Sequence, residues 1–184
     1  MLAETDRIVV GYHGTSKDNS VRVTSADLFM PSQNDYDWLG HGIYFWEYAP
    51  YRAGQWAEQK YGSAAAVLKA EIRLGRCLDL TDIRYTKALR LAFDGLREAY
   101  AARRVPIPVN RGKARRLDCF VINYVAEFVF PECETIRAPF LEGDPIFEGS
   151  ALLSGSHIQI VVRKPNVISN ITIATPISSG AYEH

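Results

Sequence analysis

The sequence predicts an α+β domain built around largely antiparallel sheet. Three observations carry this: short β-branched runs near both ends of the chain, two segments between them with apolar residues at helical spacing, and no regular strand–helix alternation of the kind a doubly wound sheet requires. Neither a GxGxxG nor a Walker sequence is present, so a nucleotide would have to be held in some other way.

Ile8 to Tyr12 is a short β-branched strand running into a corner at His13-Gly14-Thr15. Residues 16–42, rich in Ser, Asp, Asn and Pro, read as mostly loop with at most one short helix, and Ile43 to Phe45 as a brief strand. Pro50 to Tyr61 places Tyr51, Ala53, Trp56, Ala57 and Tyr61 on one helical face, with Pro50 in the first turn and Gly62 ending it. Ala64 to Leu74 alternates as a long strand, which residues 77–80 extend. Thr81 or Asp82 can cap a helix over 83–101, because a short oxygen-bearing side chain satisfies the free N–H groups of a first turn. Residues 102–116 are basic and interrupted by Pro106, Pro108 and Gly112, which marks a loop or insertion. Leu117, Phe120, Val121, Tyr124, Val125 and Phe128 give a second core helix, and strands follow at 135–141, 157–163 and 171–174, with Arg137 expected to pair with an acid.

The chain has 184 residues, 47% apolar and 23% charged, within the range of one soluble globular domain spanning 1–184. With 21 basic and 21 acidic residues nothing global draws it to a polyanion or a membrane, so any such attraction must be local. Cys77, Cys119 and Cys133 are odd in number and have no His at metal spacing, which predicts buried free thiols, no metal and a reducing, cytoplasmic setting. The first residues, Met1 to Arg7, lack the basic and apolar segments of a secretory signal, and no apolar run approaches the ~20 residues of a membrane span.

The chemistry lies in three stretches: Gly11-Tyr12-His13-Gly14-Thr15, then Gly40-His41-Gly42-Ile43-Tyr44-Phe45, then Ala53-x-x-Trp56-Ala57. Their order and spacing resemble the poly(ADP-ribose) polymerase-type, diphtheria-toxin-like ADP-ribosyltransferases, in the bacterial mono-ADP-ribosyltransferase branch. The resemblance implies two mainly antiparallel sheets forming a split NAD-binding cleft with flanking helices. It implies NAD as substrate, with His13 on a ribose hydroxyl, the Gly14 backbone on the carboxamide, Tyr44 stacked on nicotinamide, and Thr15, Gly42 and Phe45 beside them. Such a site suits the reaction, since breaking the nicotinamide–ribose bond passes through an oxocarbenium-like state and both pieces must be gripped by fixed rings and donors.

The segment resembling the family's third motif begins at Gln159, where the family carries a catalytic Glu. A glutamine can hydrogen-bond a ribose hydroxyl but brings no charge to the oxocarbenium ion and cannot act as a base. The resemblance therefore implies transfer of single ADP-ribose units. His157, two residues earlier on the same strand face, is a candidate base or acceptor contact, and Glu142 or Glu148 of the acidic stretch 141–150 is a candidate substitute for the missing acid. The basic cluster Arg103, Arg104, Arg111, Lys113, Arg115 and Arg116 is the strongest local charge bias; Arg111, Lys113, Arg115 and Arg116 are candidates for an acceptor's phosphates. The expectation is a mono-ADP-ribosyltransferase acting on a nucleic acid such as RNA, or on a protein, as a toxin or phage-defence effector with an antitoxin as possible partner. The alternatives are an NAD- or ADP-ribose-binding module without catalysis, and an NAD glycohydrolase with water as acceptor.

Overall fold

The computed structural model describes residues 1–26 and 28–174, which form six strands and four α-helices. β1 (Glu4–Ser16) leads into α1 (Lys17–Ala26); β2 (Ile43–Glu47) precedes α2 (Pro50–Tyr61) and β3 (Ala65–Asp79); α3 (Ile83–Ala102) and α4 (Arg116–Tyr124) precede β4 (Thr135–Phe140), β5 (His157–Val162) and β6 (Ile168–Ile173).

The strands make one sheet in the order β1-β2-β5-β4-β3-β6, and β3 also pairs with β1, so five strands close into a ring with β6 laid on the outer edge of β3. This overturns the expectation of two sheets forming a split ADP-ribosyltransferase fold. The cause is β3, which presents one edge to β1 along Ala65 to Arg76 and gives the other first to β6, at Leu68 to Ile72, and then to β4, at Cys77 to Asp79. β3–β4 is the parallel pair and the other ladders are antiparallel. Closure leaves fewer backbone groups on free edges. The weakest seam is β1–β2, joined through Gly11–Glu47 and Tyr12–Trp46.

Alternation distributes the side chains of each strand between two faces. Val9, Ile43, Phe45, Leu68, Ala70, Ile72, Ile160 and Val162 form one buried cluster, the filling of the ring. Gly11 belongs to that filling, since a Cβ there would lie 2.5 Å from the Ile72 side chain and 3.0 Å from that of Phe45. Ile136, Ala138 and Val161 face the other way, against Leu39, Ile122, Val125 and Ala126.

The ring also holds charge. Arg137 and Glu47 have side chains 8% and 4% exposed, and Arg137 binds Glu47 through Nε at 2.5 Å and Nη2 at 3.0 Å and Asp79 through Nη1 at 3.1 Å. The forked guanidinium matches both carboxylates, as buried charges require. Arg137 thus finds the acidic partner that the sequence led us to expect.

Residues 17–26 form the short helix allowed for within the mostly irregular stretch 16–42, ten residues long. His13-Gly14-Thr15 lies within β1, not at a corner after it. Asp82 caps α3 by accepting from the Arg84 N–H at 2.9 Å. The second core helix gives way at Val125–Val129 to a wider π-helical turn, which rotates Phe128 out to 69% exposure. All three cysteines are free and buried. Burial pushes the Cys77 thiol up to about 12, and those of Cys119 and Cys133 up to about 11, so none is a ready nucleophile. No helix among the described residues is long and apolar enough to cross a membrane.

Candidate functional site

Beyond Tyr12 and Trp46 the β1–β2 ladder ends, and a cleft of about 1130 Å³ opens there, roofed by α1 and the loop after it. His13, Gly14, Thr15, Gly42, Tyr44, Gln159 and Glu142 line it, drawn from β1, the start of β2, β5 and the loop after β4. Lys113 and Arg115 of the basic stretch line it too.

His13 is held across the seam, its Nδ1–H donating to the Tyr44 carbonyl at 2.8 Å. Its ring packs edge-on to Phe29 at 5.2 Å and against Phe45 at 5.6 Å. Burial holds its pKa below the usual histidine value, so the ring is neutral and Nε2 is an acceptor. Tyr44 donates from its hydroxyl to the Gly40 carbonyl at 2.8 Å and accepts from the Leu39 N–H at 3.1 Å. Burial pushes the phenol far above its usual range. The phenol is tied down by the loop, and the ring is its contribution to the cleft wall.

Gln159 stands in a hydrogen-bonded chain of one direction. Trp38 Nε1–H donates to its Oε1 at 2.8 Å, its Nε2–H donates to His157 Nε2 at 2.9 Å, and His157 Nδ1–H donates to the Gly155 carbonyl at 2.7 Å. Burial lowers the His157 pKa, consistent with a neutral ring accepting at Nε2. The amide is thereby fixed in orientation, with one Nε2–H left over. Glu142 lies 3.9 Å from His157 Nδ1, but that proton is committed to Gly155, and the carboxylate pairs instead with Arg52.

The remaining candidates divide. Phe45 is fully buried in the ring and does not line the cleft, because it faces opposite to Tyr44. Gly14 lines the cleft, and its backbone also closes on α2: a Cβ would lie 2.6 Å from the Ala53 carbonyl oxygen. Gly42, at φ 150°, has room for no side chain, a Cβ meeting Val161 at 2.5 Å and the Val162 oxygen at 2.6 Å. Glu148 is exposed and outside the cleft, as are Arg111, in a tight turn closed on Ala114, and Arg116, bound through Nε to Asp35 at 2.8 Å.

Several lining residues carried no sequence signal: Arg22, Asp37, Trp38, Trp46, Arg52, Lys60 and Phe140. Their positions depend on contacts between distant segments, such as Trp38 with Gln159 and Arg52 with Glu142. Among the described residues the cleft holds five cations (Arg22, Arg52, Lys60, Lys113, Arg115) against the carboxylates Asp37 and Glu142. Trp46 Nε1 and Arg52 Nε are buried donors with no partner among the described residues. No group of three or more metal-ligating side chains stands together among the described residues.

No family model matches the chain. A stretch of 122 residues is 30% identical to an uncharacterized protein of Methanocaldococcus jannaschii, covering 62% of this chain and 54% of that one. The chain thus spans about half the length of that relative.

Proposed function

We propose that the protein is an NAD-dependent mono-ADP-ribosyltransferase that moves ADP-ribose to a macromolecular acceptor and releases nicotinamide. The observation that carries this reading is the meeting of His13, Gly14, Gly42, Tyr44 and Gln159 in one cleft whose described ionic side chains are mostly cationic. Neutral His13 and the spare Nε2–H of Gln159 are an acceptor and a donor suited to ribose hydroxyls, and the Tyr44 ring offers the nicotinamide a flat face. Arg22, Arg52 and Lys60 suit a pyrophosphate, and the unpartnered donors of Trp46 and Arg52 are groups a bound ligand would satisfy.

In the reaction the bond from the ribose anomeric carbon to nicotinamide breaks, nicotinamide leaving as a neutral base with the bonding electrons. A nucleophile on the acceptor forms the new bond to that carbon and gives up its proton. Glu142 is the described lining carboxylate nearest Gln159's partner His157 and is our candidate for receiving that proton; in this reading it must first part from Arg52. A transferase fixed on a neutral amide forgoes the electrostatic stabilisation that a glutamate supplies. The binding-module alternative draws on the same observation, because both atoms of the Gln159 amide are already engaged.

The test is incubation with labelled NAD and a cell lysate. Nicotinamide release with label on macromolecules supports transfer. Binding of NAD without release supports the binding module, and release with only free ADP-ribose supports a glycohydrolase. Unchanged labelling by both His13→Ala and Tyr44→Ala would overturn the site.

A further inference from the structure

At about 1130 Å³ the cleft exceeds the roughly 300–1,000 Å³ of ordinary small-molecule sites, leaving room for part of an acceptor beside NAD. One wall joins aromatic rings to cations. Trp38 packs on Phe140 with ring centroids 4.7 Å apart, Phe140 packs on His157 at 5.3 Å, and the Trp38 indole N–H is the group that holds Gln159. The aromatic pair is therefore pinned beside Gln159.

The basic stretch is stitched to this wall. The Arg115 N–H donates to the Tyr36 carbonyl at 3.3 Å, and Arg116 Nε donates to Asp35 at 2.8 Å, so the segments 34–38 and 111–116 travel together. Arg116 is spent as a fastener, while Lys113 and Arg115 line the cleft with no carboxylate partner among the described residues. Tyr36, 48% exposed, lines the cleft beside them. Flat rings next to unpaired cations fit a base with its phosphates. A peptide would use the charges but has no general need for the stacking faces, and a duplex hides its base faces.

We infer that this wall binds the acceptor as single-stranded nucleic acid, Lys113 and Arg115 meeting its phosphates and Tyr36 with the Trp38–Phe140 pair meeting a base. The inference rests on the transferase reading of the same cleft. In the transfer, a nitrogen of the held base forms the bond to the anomeric carbon as the bond to nicotinamide breaks, and its proton passes to a carboxylate or to water.

The experiment uses the full chain with short, labelled single-stranded RNA and DNA of mixed sequence, read by fluorescence anisotropy over a salt series and then by label transfer from NAD. Each phosphate contact contributes about −0.7 to the slope of log affinity against log salt, so two give about −1.4, or roughly sevenfold weaker binding between about 50 and 200 mM. Lys113→Ala/Arg115→Ala should remove that slope and reduce oligonucleotide labelling. Tyr36→Ala, at a surface position, should weaken binding at least about fivefold through lost stacking. Lys87→Ala/Arg90→Ala, which removes the same charge from an exposed part of α3 outside the cleft, should change nothing. Oligonucleotides neither bound nor labelled while label goes to lysate protein would overturn the inference, and so would equal losses in the Lys87/Arg90 variant. Absence of nicotinamide release by the unaltered protein overturns the transferase reading itself, which no anisotropy result can do.

Discussion

Replacing Gln159 tests whether the chain Trp38–Gln159–His157 is real and directional. In Gln159→Leu the Trp38 N–H and the His157 Nε2 both lose their partner, in a place where Gln159 is 8% exposed. Each buried polar group left unpaired costs about 1–3 kcal/mol, and the added apolar contact returns part of that, so the expected loss is about 2–4 kcal/mol. For a chain of this length that is a fall in Tm of roughly 4–16 °C. Gln159→Glu behaves differently. One carboxylate oxygen keeps the Trp38 bond, but the other meets the lone pair of neutral His157, and the variant loses about 1–3 kcal/mol near pH 8. Below about pH 6.5, the ordinary histidine value, His157 can take a proton and donate to the carboxylate, and the loss shrinks. The signs are opposite. In the unaltered protein burial depresses the His157 pKa, so its contribution to stability is full above the unfolded value and is lost as pH falls; in the variant the carboxylate raises it, so its contribution is present at low pH and lost as pH rises. Thermal melts from pH 5.5 to 8 measure both. Parallel Tm–pH curves for the Glu variant and the unaltered protein, or a Leu variant within about 2 °C of it, would refute the chain.

Arg137→Met leaves Glu47 buried beside only the half-exposed Arg7, 3.6 Å away, and should cost about 3–5 kcal/mol in urea denaturation; replacing Glu47 by Leu as well should recover most of it. Gly14→Ala drives a Cβ into the Ala53 carbonyl of α2, and the displaced helix should cost about 1–3 kcal/mol while weakening NAD binding, both read from melts with and without NAD. Glu142→Gln should lower nicotinamide release at least about tenfold, whereas Glu148→Gln, outside the cleft, should leave it unchanged. His13 and His157 are both depressed by burial, so stability should be full above about pH 6.5 and decline as pH falls below it, with a shallower decline in His157→Gln.

What the sequence could show follows from the range of the interactions involved. α2 was legible because its signals are local: Pro50 at the first turn, Ala53 and Ala57 one helical turn apart and both fully buried, Gly62 at the end. The shared face of His157 and Gln159 was legible from the two-residue repeat of a strand. That same repeat argues against seating both Tyr44 and Phe45 in one cleft, and the structure gives Tyr44 to the cleft and Phe45 to the ring. Arg137 was expected to meet an acid, and its place in the ring's interior layer follows from register, since its partner Ile160 pairs in turn with Phe45.

Closure was invisible for a different reason. A strand's sequence records which of its faces is apolar, not which strand lies along each edge, and β3 exchanges β6 for β4 beyond Gly75, at φ 59°, where its alternation also changes phase: Leu74 and Cys77 both join the ring cluster and Leu78 the opposite one. The consequence reaches the site. Because β1 is bound along nearly its whole length to β3 and touches β2 through two residue pairs alone, the cleft has to open at the β1–β2 seam, and His13 bonded to the Tyr44 carbonyl is the first contact beyond it. The stretches that carry His13 and Tyr44 are therefore joined by a short ladder and by the His13–Tyr44 hydrogen bond, and a ligand spanning them would strengthen the weakest seam of the ring. NAD binding should accordingly raise amide-exchange protection at Tyr12, Trp46 and the residues flanking them more than anywhere along the β1–β3 ladder, and protection confined to the loops would contradict this account of how fold and site are coupled.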